Sequence, residues 1–284
     1  MNEREAMSFK ALLRRIAAEE NIPAQVVLQN FVFERLMERI VKSKIRNNFI
    51  LKGGLLISHI LGLAKRTTMD MDITVRNTEL NEDNVRSWMN EIFSVETGDG
   101  VVWDLKSIAP IRDDDIYGGY RVKMVASLGV INVPLSVDIS TGDRITPAPR
   151  EYYLKSHFVQ NAMFKLWGYT IETILAEKIE SILVRGVLST RPRDFYDVLL
   201  LVTHCKPNKE IFRVALTATA EHRGTSEVLI DATRRVEIIR TSVAMQKQWN
   251  NYLRTASYAT PVTFDEVCKT VQELLSEEDR TKSE

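Results

Sequence analysis

The sequence predicts an α+β protein: a helical prefix, an α/β centre, and a carboxy-terminal half that is helical throughout. Three observations carry that reading. Apolar residues recur at helical spacing up to about residue 48. They alternate with polar ones over 69–75 and 131–138, and helical spacing returns from about residue 150. A length of 284 residues suits two domains, with the boundary expected at 150/151.

The elements follow in order. Residues 1–48 read as helix, with Pro23 suited to a first helical turn and Val26, Val27, Asn30, Phe31, Phe33, Leu36, Met37, Ile40 and Val41 at roughly helical spacing. Phe49-Ile50-Leu51 reads as a short strand ending at Lys52. Gly53-Gly54 breaks it, and a helix from Leu55 to Leu63 closes near Gly62. In the strand Met69–Val75, Met71, Ile73 and Val75 share one face, and Asp70, Asp72 and Thr74 share the other. A polar helix near Glu82–Phe93 precedes three more strands, Val101–Ile108, Tyr120–Ala126 and Ile131–Asp138, the last two joined by a turn at Gly129. Pro134 marks its strand as an edge or a late start. Helices then follow at Tyr169–Arg185, Asp194–Thr203, Lys209–Leu216, Glu227–Arg254 with a break, and Thr263–Leu275, before a charged, fraying tail over Glu277–Glu284.

Composition excludes several classes. At 44% hydrophobic and 27% charged residues the chain is globular rather than disordered or repetitive. Lys+Arg 38 balances Asp+Glu 38, which argues against a nucleic-acid partner gripped by global positive charge. No apolar run approaches the roughly 20 residues that span a bilayer, and the polar start MNEREAMSFK lacks a signal-peptide core. Cys205 and Cys268 make no disulfide framework or zinc pattern, and His59, His157, His204 and His222 show no ligand spacing. A soluble cytoplasmic protein with no membrane partner is expected.

Four constellations can carry chemistry. Asp70 and Asp72 sit at i and i+2 on one strand, about 7 Å apart on the same face. Mg²⁺ takes oxygen ligands, commonly one or two carboxylates plus substrate phosphates. Asp138, on the polar face of another strand, is the candidate third ligand for a two-metal site. Taken alone, an Asp-x-Asp pair is most often the solvated face of a half-exposed strand. Lys52-Gly53-Gly54 stands at a strand-to-helix junction, where glycines let backbone N–H groups approach a phosphate. A plain tight turn explains the same residues. Lys178 falls in the apolar stripe of Ile171, Ile174, Leu175 and Ile182, so it must snorkel out, pair with a carboxylate, or point into a cavity. In Arg193-Asp194-Phe195-Tyr196-Asp197, Asp194 suits an N-cap, and both acids share a helix face that could reach a cleft together with Lys178.

Taken in order, Lys52-Gly53-Gly54, Thr68-Met69-Asp70-Met71-Asp72, Asp138, Ala176-Glu177-Lys178 and Arg193-Asp194-x-x-Asp197 resemble the AbiEii/AbiGii nucleotidyltransferase toxin family. Thr68 stands where the family often has Ser, which keeps the hydroxyl. The resemblance implies a polymerase-β-like nucleotidyltransferase core with a mixed sheet in residues 1–150, and a helical domain over 151–284 that completes the active-site cleft. It implies that Asp70 and Asp72 hold Mg²⁺ or Mn²⁺, with Asp138 as the third ligand. Lys52, Gly53, Gly54 and Thr68 would lie near the triphosphate of an NTP substrate. Lys178 would bind phosphate, and one or both of Asp194 and Asp197 would complete the site. It further implies the toxin of a bacterial toxin–antitoxin or phage-defence system, with a cognate antitoxin encoded nearby and an RNA acceptor, tRNA 3′ ends above all, whose modification blocks translation. Two other readings stand beside it: a transferase acting on a protein or small molecule, and a non-catalytic nucleotide- or RNA-binding module.

Overall fold

The computed structural model describes residues 3–111 and 118–276 and resolves the chain into two compact units. The first comprises Met1–Asp143 and Arg150–Gly168, and the second Arg144–Pro149 and Tyr169–Glu284. The expected fraying tail over Glu277–Glu284 lies outside the described residues.

In the first unit the prefix divides in two, α1 (Glu3–Glu19) and α2 (Ala24–Lys42). Asn21 turns left-handed at φ 52° and Pro23 takes the extended N-cap position of α2, so one continuous helix cannot form. Helix α2 is buried on more than its apolar stripe: Gln29, Asn30, Glu34 and Arg39 are covered along with Phe33, Leu36 and Ile40. Such burial demands internal partners for its polar groups. Arg39 finds one in Asp99, with N–O distances of 2.6 and 2.8 Å.

Seven strands form one mixed sheet in the order β3-β4-β5-β2-β1-β7-β6. They are β1 (Phe49–Lys52), β2 (Met71–Val75), β3 (Val102–Pro110), β4 (Gly119–Leu128), β5 (Ile131–Ser140), β6 (Arg150–Lys155) and β7 (Met163–Gly168). Parallel pairs β1/β7 and β2/β5 are set among antiparallel ones. The α+β reading and the mixed sheet hold. The helical reading from residue 151 does not: β6 and β7 form a hairpin within the first unit, and the first helix beyond them is α5 (Ile171–Arg185). Each of these strands alternates over only six residues, Tyr152 and Leu154 facing inward on one and Phe164 and Leu166 on the other. Their connection lacks Gly and Pro; the Ser156 hydroxyl accepts from the N–H groups of Phe158 and Val159, and Asn161 supplies the left-handed residue.

Pro134 is also placed differently from expectation. Strand β5 is interior, but β2 pairs only with Val137–Ser140, so the part that holds Pro134 has β4 alone as its neighbour. A residue without N–H is tolerated there for the reason it is tolerated at an edge. Thr74, expected on the polar face, is buried, and its hydroxyl donates to the Ser140 carbonyl. The polar face of β2 is open only at its amino-terminal end. Helix α3 runs Gly53–Leu61, so the two glycines open this helix rather than precede it, and Gly62 ends it at φ 96°. Helix α4 (Glu82–Ser94) is capped by the Asn81 side chain, which accepts from the Asn84 N–H.

The second unit is helical: α5, α6 (Pro192–Cys205), α7 (Lys209–Arg223), α8 (Ala232–Thr241), α9 (Val243–Thr255) and α10 (Phe264–Leu275). Its core joins Leu175, Ile179 and Ile182 of α5 to Phe195, Val198 and Leu201 of α6, with Phe212, Trp249, Phe264 and Val271. Phe195 meets Phe264 edge-on at 5.3 Å between centroids, and the Trp249 indole donates to the Val262 carbonyl. Ser242 breaks the expected long helix by ending α8 and capping α9 through the Met245 N–H. Thr263 and Glu266 form a capping box at α10. Asp194 is not an N-cap: α6 begins at Pro192 with Arg191 as cap, which places Asp194 inside the first turn. No helix among the described residues is long and apolar enough to cross a membrane.

Candidate active site

The sheet register sets four charged residues side by side. Lys52 at the end of β1 pairs with Asp72 on β2, Asp72 with Asp138 on β5, and Asp138 with Arg121 on β4. Cross-strand partners share a face, so one row carries plus, minus, minus, plus. The Arg121 guanidinium donates to both Asp138 oxygens, Nε at 2.8 Å and the terminal nitrogen at 2.6 Å. That hydrogen bonding and charge raise the Arg121 pKa above its usual value, and the charges of Asp70 and Asp72 add to the effect. The three carboxylates therefore share one electrostatic neighbourhood.

Asp72 sits against backbone. Gly53 adopts φ 65°, and a Cβ there would lie 2.2 Å from Asp72 Oδ2. Gly54 is similarly close to its neighbours: a Cβ would meet Thr68 Oγ1 at 2.9 Å and an Arg66 guanidinium nitrogen at 3.1 Å. Two glycines thus bring the opening turn of α3 against the carboxylate strand. The first N–H groups of a helix have no intrahelical partner and favour an anion.

Asp70 precedes β2 and is exposed. Its backbone is held by Thr68, whose hydroxyl accepts from the Asp70 N–H at 3.2 Å. The Thr68 carbonyl in turn accepts from the buried Asn30 amide of α2 at 3.1 Å. Thr68 is itself buried, so its evident task is to position Asp70. Lys52 Nζ is 2.6 Å from Asp143 Oδ2, and that carboxylate also accepts from the Ser140 hydroxyl.

The exposed Asp70 and the glycine-flanked Asp72 present hard oxygen donors of the kind Mg²⁺ and Mn²⁺ take. These two residues fit such an ion. Asp138 lies in register beside Asp72, but both its oxygens already accept from Arg121.

In the second unit Lys178, Asp194 and Asp197 come together. Lys178 Nζ lies 2.9 Å from Asp194 Oδ1 and 2.7 Å from Asp197 Oδ2, and Arg191 Nε lies 2.7 Å from Asp194 Oδ2. Asp194 and Asp197 are buried, one helical turn apart on α6. Of the three courses open to a lysine on an apolar stripe, Lys178 takes carboxylate pairing.

Several members of the site escaped the sequence reading. Arg121 was within reach of it: a turn at Gly129-Val130 pairs Leu128 with Ile131, and counting back along both strands puts Arg121 opposite Asp138. Asn30 and Asp143 left no local signal, because each acts through a contact distant in sequence.

A candidate nucleotidyltransferase from H. pylori superposes with a TM-score of 0.51 at 16% identity, covering 89% of this chain and 94% of that one. JHP933 from Helicobacter pylori superposes with a TM-score of 0.50 at 16% identity, covering 89% and 91%. At that identity the likeness establishes the fold. The chain belongs to the AbiEii family, described as "Nucleotidyl transferase AbiEii toxin, Type IV TA system", whose model matches residues 35–275. No curated protein matches the chain.

Proposed function

We propose that the chain is a divalent-metal-dependent toxin that transfers NMP from an NTP to the 3′ end of tRNA and so blocks translation. The observation that carries this reading is the approach of Asp72 to Gly53, where a Cβ would lie 2.2 Å from the carboxylate. It joins a pair of oxygen donors to the start of a helix, the two elements a metal-bound triphosphate needs.

Asp70 and Asp72 would hold Mg²⁺ or Mn²⁺, with Asp138 as a third oxygen donor through the lone pairs that its bonds to Arg121 leave. Bound there, the ion supplies Lewis-acid stabilisation of charge on the transferring phosphorus and the leaving pyrophosphate. The chain's own groups do the rest. N–H groups in the first turn of α3 bind phosphate oxygens, and Thr68 fixes the backbone that carries Asp70. Lys178 provides a phosphate contact, as the family resemblance implies, with Asp194 and Asp197 holding its ammonium. The acceptor hydroxyl attacks the α-phosphorus and gives up its proton to solvent, a new phosphodiester bond forms, the bond to the β-phosphate oxygen breaks, and pyrophosphate leaves. The biological setting would be a toxin–antitoxin pair serving phage defence, with the antitoxin encoded nearby.

The test is transfer of label from each of the four α-³²P-NTPs to total bacterial tRNA with Mg²⁺, beside Asp70→Ala. Label on tRNA with the wild type and a loss of at least about 1,000-fold in the variant is the expected result. Equal labelling by both proteins would overturn the site. Label on a protein or small molecule alone would keep the site and replace the acceptor. Nucleotide binding with no transfer to any acceptor would leave a binding module.

A further inference from the structure

A second cluster lies in the first unit, made of donors other than those of the charged row. Glu34 of α2, His59 of α3 and His157 of the β6–β7 connection bring one ligand atom each to within 4.8 Å of one another. Glu34 and the His59 ring are completely buried. The His59 Nδ1 sits 3.0 Å from the Leu55 carbonyl, which can only accept, so Nδ1 carries the hydrogen. The other nitrogen of a neutral His59, Nε2, then presents a bare lone pair 3.5 Å from Glu34 Oε1. Two lone pairs facing one another in a buried site repel, and something positive has to stand between them.

A proton on His59 would meet that need, but it leaves the Nε2 of His157 buried with no hydrogen-bond partner. A metal ion accounts for all three groups. We infer that Glu34, His59 and His157 form a binding site for a divalent transition-metal ion of the zinc class. Mixed nitrogen and oxygen donors suit zinc and exclude Mg²⁺ as the preferred occupant. Bonds of about 2.1 Å set tetrahedral ligands roughly 3.4 Å apart, close to the 3.5 Å between His59 and Glu34, and the ligand atom of His157 lies within 4.8 Å of both. The outer contacts are those of a metal site. The second ring nitrogen of His59 is tied to a backbone carbonyl, and Glu34 accepts from the Ser156 hydroxyl and the His157 N–H.

The ion would fasten α3, the helix that begins with Gly53, to α2 and to the β6–β7 hairpin. The test uses the untagged chain stripped with chelator and titrated with ZnCl₂, and in parallel with CoCl₂ to read tetrahedral d–d absorption. The wild type is expected to bind one ion through nitrogen donors and to raise its unfolding midpoint by about 5 °C at a hundredfold excess over Kd. Asp70→Asn/Asp72→Asn, which lacks the oxygen donors of the charged row, is expected to bind as the wild type does. His157→Gln, a change in a half-buried loop residue that should fold normally, is expected to lose more than the 10–100-fold that an outer contact costs. His59→Gln repeats the test from α3. No binding by the wild type, or equal binding by both histidine variants, would overturn the site, as would loss of the ion in Asp70→Asn/Asp72→Asn.

Discussion

At Gly53 the backbone itself sets what the site can hold. Its φ of 65° is left-handed, and the space a side chain would need is occupied by the Asp72 carboxylate. Gly53→Ala therefore meets two penalties, about 1–2 kcal/mol of left-handed strain and the displacement of Asp72. Gly54 has no such φ, and a Cβ there meets Thr68 Oγ1 at 2.9 Å and Thr68 Cβ and an Arg66 nitrogen at 3.1 Å, a milder overlap than the 2.2 Å at Gly53. The expected order is a loss of at least about 100-fold in nucleotide transfer for Gly53→Ala and a much smaller loss for Gly54→Ala. Equal rates for the two variants, measured with thermal midpoints to separate folding from chemistry, would show that Asp72 moves freely. The same residues show what a sequence discloses. Asp70, Asp72 and the glycine pair were legible because each motif is contiguous and its chemistry local. Asn30 was not, because on α2 it reads as one more position in a helical stripe, and only the fold brings its amide to the Thr68 carbonyl.

Among the elements, β1 was legible as a short apolar run and β2, β3, β4 and β5 as strand segments, helped by alternation and the turn at Gly129, whereas β6 and β7 were concealed by brevity and by a Ser-Asn turn without Gly or Pro. Their recovery moves the start of the helical part from residue 151 to α5. Helix α6 shows a different limit. Its acids were read as a cap and as a pair on one face, and the second property is what the packing uses, since both hold Lys178. Lys178→Met removes the ammonium that holds two buried carboxylates, a change expected to destabilise the second unit by about 3 kcal/mol. Adding Asp194→Asn and Asp197→Asn to the same chain should recover most of that stability, because neutral amides are cheaper to bury than carboxylates that have lost a cation. Transfer activity should stay lost if Lys178 is a phosphate contact. Urea midpoints and labelled-nucleotide transfer on the two proteins separate these roles, and recovery of both together would make Lys178 purely structural.

For the molecule as a whole, charge is balanced at 38 against 38, so stability against acid rests on which carboxylates are held ionised by their neighbours. Several depressed carboxyls, those of Glu237, Asp265 and Glu266, lie in the second unit at the surface, where solvent screens their contribution. Asp99 in the first unit differs. Burial alone would raise its carboxyl, but the hydrogen bonds from Arg39 and the Val101 N–H, with the Arg39 charge, bring it below the ordinary 3.8. A carboxyl lowered by folding contributes stability above its unfolded pKa and loses that contribution as pH falls through the folded value. Asp99→Asn removes the contribution at every pH and leaves Arg39, only 4% exposed, without its anion. The variant is expected to be roughly 3 kcal/mol less stable than the wild type at pH 7. That gap should stay nearly constant down to about pH 4 and narrow below it, as the wild-type Asp99 takes up its proton. Urea unfolding of both proteins between pH 7 and pH 3 measures it. A gap that widens toward acid would mean that Arg39 and Asp99 are not the pair anchoring α2 in the first unit.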